Sequence, residues 1–86
     1  MYRIELTKVA EKELTYLYKT NKRLFERINA ALDTLSKDPY EGKPLKNILK
    51  GNYSYRVGEY RIIYTIRRNQ LVVIIIDVGH RREVYR

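Results

Sequence analysis

The 86 residues carry 18 lysines and arginines against 10 aspartates and glutamates, a net charge of +8, with one histidine and no cysteine. Without cysteine there is no disulfide framework and no thiolate metal site, and a lone histidine cannot build a His-rich one. The length fits a single domain over residues 1–86, and no apolar run approaches the roughly 18 residues of a membrane span, so the chain reads as a soluble cytoplasmic protein with no membrane partner.

In chain order, Tyr2 to Leu6 alternates and predicts a first strand, with Ile4 and Leu6 inside, or paired with Tyr2 on one face. Thr7 is placed to cap a helix whose apolar stripe is Val9, Ala10, Leu14, Leu17 and Tyr18. Thr20-Asn21 breaks that stripe. Asn21 caps a second helix, where Leu24, Phe25, Ile28, Ala31, Leu32 and Leu35 recur at three and four. Asp38-Pro39 ends it, because the residue before proline is pushed out of the α region. So short a link between two amphipathic helices predicts an antiparallel hairpin.

The segment DPYEGKPLKNILKGN, residues 38–52, reads as a loop that Leu45, Ile48 and Leu49 anchor. Loops this long are usually functional or packed by their own side chains. Three strands follow, Tyr53–Val57, Glu59–Arg67 and Leu71–Val78, rich in Tyr, Ile, Val and Thr. Their links are too short for a crossover, so they form an antiparallel meander. The order β-α-α-β-β-β predicts an α+β fold. An antiparallel sheet carries the N-terminal helical hairpin on one face and leaves the other partly open.

Within YRVGEYR, residues 55–61, a two-residue turn at Gly58-Glu59 suits type II′. Val57 then pairs with Tyr60 and Arg56 with Arg61, and opposed residues share a face with Cβ atoms roughly 5 Å apart. Tyr60, Ile62, Tyr64 and Ile66 form the core row; Arg61, Ile63, Thr65 and Arg67 form the open one. Directly opposed like charges destabilise a sheet, and a local rule broken without visible compensation marks a functional site. Arginines splayed into water are the alternative reading. With Asn69-Gln70 as the next turn, Thr65 pairs with Ile74, Ile63 with Ile76 and Arg61 with Val78. His80 then falls on the arginine face and Asp77 on the core row, where it needs a partner. The open face becomes an apolar floor with a basic rim, fit for a nucleobase and its phosphate or for a partner helix.

The charge is uneven. Residues 1–45 hold nine Lys/Arg against seven Asp/Glu, and residues 46–86 nine against three. The second half has seven arginines to two lysines. Guanidinium forks suit phosphate, so the excess points to a nucleic acid, with an acidic protein as the other partner the field would satisfy. There is no Ser-His-Asp spacing, no Gly-rich phosphate loop and no metal cluster, so no cofactor and no metal are expected. What the C-terminal half offers is arginine, histidine and tyrosine. Arginine neutralises charge developing on a phosphate. Histidine is the residue type that most readily serves as acid or base near neutrality. Tyrosine becomes a base only where cations lower its pKa. Those parts suffice for metal-free RNA cleavage, in which a 2′-hydroxyl attacks its own phosphate.

GNYSYRVGEYRIIYTI followed by VGHRREVYR resembles the RelE/ParE superfamily of toxin–antitoxin toxins, most closely the RelE-like mRNA interferases. The shared pattern is Arg56-Val57-Gly58, then Tyr60-Arg61-Ile62-Ile63-Tyr64, then Gly79-His80-Arg81 through Tyr85, with GKPLKNILKGNY leading into the sheet. The resemblance implies an endoribonuclease that cuts mRNA in the ribosomal A site without metal or small-molecule cofactor. It further implies a cognate antitoxin, an acidic segment that folds on the basic face. Arg61 and Arg81 would bind and stabilise the scissile phosphate, Tyr85 would orient the 2′-hydroxyl or act as base, and His80 would join the proton transfers. Arg56, Arg82, Ser54 and Lys50 are the candidate RNA-binding residues, although members of the family carry a basic residue where this chain has Ser54. The ParE branch of the same fold implies the alternative, a DNA gyrase-inhibiting toxin without nuclease activity.

Overall fold

The computed structural model describes residues 1–46 and 50–80. Ile48, Leu49, Arg81, Arg82 and Tyr85, singled out above, lie outside the described residues. The elements are β1 (Arg3–Leu6), α1 (Lys8–Thr20), α2 (Lys22–Lys37), β2 (Lys43–Pro44), β3 (Asn52–Val57), β4 (Tyr60–Arg67) and β5 (Val72–His80). The architecture is α+β, a helical hairpin on one face of a five-stranded sheet.

Each helix boundary follows from a side chain the sequence supplies. Thr7 Oγ1 accepts the amide of Ala10 at 3.2 Å, satisfying one of α1's unpaired first-turn donors. Asn21 ends α1, its amide bonding the Leu17 carbonyl, and starts α2, its Oδ1 accepting from Leu24 at 3.2 Å. Asp38 closes α2 and caps the short 3-10 turn Pro39–Glu41 through Tyr40 N. Ala10, Leu14 and Leu17 of α1 and Ile28, Ala31, Leu32 and Leu35 of α2 bury their stripes against Ile62, Tyr64, Val73, Ile75 and Val78. Val9 is not part of this core. It is 60% exposed, because the stripe at Ala10, Leu14 and Leu17 already spans the buried face.

The strand order is β1-β5-β4-β3-β2. The meander β3-β4-β5 is antiparallel as expected, but the sheet as a whole is mixed, since β1 joins its far edge parallel to β5. The connection between this parallel pair is far longer than the roughly dozen residues it requires, since both helices and β2 to β4 lie between the two strands. The loop before β3 also contributes a strand: Lys43 pairs with Ser54 and Pro44 with Tyr53. Proline is tolerated there because β2 is an edge.

The hairpin β3-β4 has the predicted register, with Val57 opposite Tyr60 and Arg56 opposite Arg61. Gly58 has φ of 61° and Glu59 a negative φ, the pattern of a type II′ turn. The β4-β5 pairing departs from expectation. Its connection is not a two-residue turn at Asn69-Gln70 but a 3-10 turn over Arg68–Gln70 that closes through Leu71 in the left-handed region. Thr65 still faces Ile74, yet a bulge then inserts Ile76 as an extra residue. Beyond it Ile63 pairs with Asp77, Arg61 with Gly79 and Tyr60 with His80. A one-residue slip exchanges the two faces of everything downstream. Asp77 therefore leaves the core row for the arginine face, and His80 moves to the helix side.

Candidate functional site

The face opposite the helices is built in rows across the sheet. Arg56, Arg61 and Gly79 form one row, and Lys43, Ser54, Ile63 and Asp77 the next. Glycine at position 79 leaves space beside Arg61 where any other residue of β5 would put a side chain. Arg61 is half-buried, and its Nη1 donates to Ser54 Oγ at 3.4 Å. Ser54 is itself only 4% exposed, so its hydroxyl serves Arg61 rather than reaching outward. Arg56 is exposed and donates from Nε to the Gly58 carbonyl at 3.0 Å, which draws its guanidinium toward the hairpin tip. The opposed arginines are thus held apart by two different anchors.

The sheet also supplies a counterweight that the expected register concealed. Asp77 stands two residues before Gly79 and so lies diagonally from Arg61 on the same face. Lys43, a cation that the sequence reading passed over, enters the face through β2. Its signal was unreadable, because a two-residue strand has no periodicity. Lys50 is exposed just ahead of β3. The apolar floor is present in Ile63, 5% exposed, with Thr65 and Ile74 half-buried beside it.

His80 is not on this face. It is the register partner of Tyr60, and their rings meet edge-on at 5.8 Å. The bulge at Ile76 is the cause. Of the four residues given catalytic roles above, the described structure therefore places only Arg61 among the clustered cations, while Arg81 and Tyr85 lie outside the described residues.

The Tyr64 titration is strongly displaced, and it belongs to the scaffold. The Tyr64 hydroxyl donates to the Pro39 carbonyl at 2.7 Å and accepts the Gly42 amide at 3.0 Å. Burial pushes its pKa up to about 12, against the downward pull of the Gly42 hydrogen bond. This buried phenol ties the segment before β2 to β4, and with it the strand that delivers Lys43. Among the described residues no helix is long and apolar enough to cross a membrane.

The family model of the ParE toxin of type II toxin–antitoxin systems matches residues 4–85. Toxin RelG of Mycobacterium tuberculosis is 34% identical over 87 aligned positions, covering 99% of this chain and 97% of the relative. Toxin RelE of the same organism is 35% identical over 91 positions, covering 99% and 87%. Among solved structures, the toxin–antitoxin complex RelBE2 from M. tuberculosis superposes with a TM-score of 0.80 at 34% identity, covering 93% of this chain and 91% of that one. The chain belongs to the RelE/ParE superfamily and is a RelE-like toxin of a type II toxin–antitoxin system.

Proposed function

We propose that this toxin is a metal-free endoribonuclease that cuts mRNA in the ribosomal A site. The observation that carries the reading is the pairing of Arg56 and Arg61 on the face away from the helices, with Arg61 seated on Ser54. In the reaction a 2′-oxygen attacks the adjacent phosphorus and the P–O5′ bond breaks, leaving a 2′,3′-cyclic phosphate and a 5′-hydroxyl. Arg61 neutralises the charge that builds on the non-bridging oxygens. A half-buried guanidinium suits that task, since it is already partly desolvated and anchored. Arg56, Lys43 and Lys50 hold the flanking backbone. Arg81 and Tyr85 keep the roles carried over from the family pattern, a second phosphate contact and the group that takes or orients the 2′-hydroxyl proton. Ser54 positions Arg61 rather than contacting RNA. His80, beside Tyr60 on the opposite face, is not assigned a proton-transfer role.

Control comes from a cognate antitoxin. The RelBE2 complex pairs a toxin of this fold with an antitoxin, and an acidic segment ordering on the basic face would neutralise Arg56 and Arg61 together.

The test is a primer-extension map of a reporter mRNA in a purified translation system. Wild type should create new 5′ ends inside codons only when ribosomes are present, and Arg61→Ala should abolish them. An intact message under folded wild-type protein would refute the nuclease reading. A gyrase supercoiling assay would then test the other branch of the superfamily.

A further inference from the structure

The geometry points to a second nucleotide subsite, in the cleft between α2 and the exposed edge of β3, which we propose takes the nucleotide one step beyond the two that flank the scissile phosphate. The inference rests on the RNA-cutting reading and extends it to Arg27, Ala30 and Ala31 of α2, which the family pattern does not include. β2 covers β3 only at Tyr53 and Ser54, so the edge from Tyr55 to Gly58 has no strand beside it among the described residues. α2 runs along this edge and leaves a cleft of about 340 Å³, floored by Ala30, Ala31 and Tyr55. That is the lower end of the size range of small-ligand sites.

Two arginines line the cleft at the hairpin tip, one from each side of β3. Arg27 of α2 packs over the hairpin tip, its Nη1 3.4 Å from where a Gly58 Cβ would stand. Arg56 reaches the same glycine from the other strand face through its bond to the Gly58 carbonyl. Among the described residues neither arginine forms an ion pair. In a two-residue hairpin the residues flanking the turn exchange hydrogen bonds, so Arg56, one step back, aims its backbone N–H away from β4 and along the free edge. The cleft thus offers two phosphate forks, a backbone donor and a half-buried tyrosine. A phosphate and a base are the ligand that uses all of these, whereas a carboxylate side chain would use only the forks. Because Arg56 is also the register partner of Arg61, a strand lying on Arg61 needs only one further residue to reach the cleft.

The test uses fluorescence anisotropy on the whole chain, with uncleavable 2′-O-methyl RNA. A dinucleotide fills the Arg61 site alone; a tetranucleotide also reaches the cleft. Arg27→Gln and Ala30→Glu, both at exposed positions of α2, should each weaken the tetranucleotide roughly tenfold and leave the dinucleotide unchanged. Arg27→Gln should also flatten the salt dependence by about 0.7 in log–log slope, one phosphate's share on a single strand. Unchanged tetranucleotide binding in both variants would overturn the subsite while leaving the nuclease reading to stand on Arg61→Ala. A glutamate-rich peptide that binds in an Arg27-dependent way where the tetranucleotide does not would overturn it too, and make the cleft a protein-docking site.

Discussion

A methyl group at Gly42 would run into the Tyr64 hydroxyl and stand 2.9 Å from the Ser54 carbonyl oxygen. Gly42 has an ordinary negative φ, so glycine is required here by close approach and not by backbone conformation. Gly42→Ala should therefore destabilise the fold by about 1–3 kcal/mol, as overpacking does. Tyr64→Phe should cost a similar ~1–3 kcal/mol by orphaning the Pro39 carbonyl and the Gly42 amide. The two residues share one contact, so the double variant should be less harmful than the sum, with a coupling of about 0.5–3 kcal/mol in urea titrations. Tyr64 also sets a pH dependence. Its pKa is raised in the folded state, so the folded protein holds this proton after the unfolded chain has released it. The phenol's contribution is intact below pH ~10 and is lost as pH rises toward 12, at up to about 1.4 kcal/mol per unit. Tyr64→Phe should remove that slope, along with the most alkaline step in the 295 nm tyrosine absorbance. At the candidate face the proposed nuclease reading expects Arg61→Ala to lose cleavage outright, whereas Lys43→Ala should weaken RNA binding and flatten its salt dependence by about 0.7.

Elements meet at Thr7. Its hydroxyl caps α1 through Ala10 and donates at 2.6 Å to the carbonyl of Ile76, the extra residue of the bulge. One side chain thus fixes the start of a helix and the kink that turns Asp77 toward the arginines. Thr7→Ala should cost about 1–2 kcal/mol, and the amides of Ile76 and Asp77 should lose hydrogen-exchange protection together with those of α1's first turn. At the other end of β5, Leu71 occupies the left-handed region with φ of 54° and is 53% exposed. Leu71→Gly should raise stability by about 1 kcal/mol, because it relieves that strain while giving up little burial. These two sites also show where the sequence was legible. The caps, the helical hairpin, the type II′ turn and the Arg56–Arg61 pairing were readable because each is written in local residues: Thr7, Asn21, Asp38-Pro39 and Gly58. The bulge was not, because LVVIII is apolar at every position and a period of two cannot reveal a slip. It is this slip that takes His80 off the expected face, while neither the parallel partner of β1 nor the two-residue β2 that carries Lys43 has a local signature. Arg27 has no local signature either, since its place over the hairpin tip is set by how α2 packs against β3.

For the whole molecule, Arg56 and Arg61 stand opposed at one end of the sheet and Arg27 is brought over to it from the helices, while Arg67 and Arg68 lie at the other end of β4. A field of this kind speeds the encounter with a polyanion and weakens steeply with salt, so association rates with RNA or with an acidic antitoxin peptide should fall sharply between 50 and 200 mM salt. The parallel seam between β1 and β5 has a different bearing. The Thr7–Ile76 bond joins residues 69 apart in the chain. At the ~5–20 residues per second of protein synthesis, the first strand waits on the order of 3–14 s for its partner to be made. During that interval the nascent toxin has its helices but no complete sheet to bury them. The face that carries Arg61 is complete only once β5 has been made, so a ribosome making this toxin has passed residue 76 before its product can present that face.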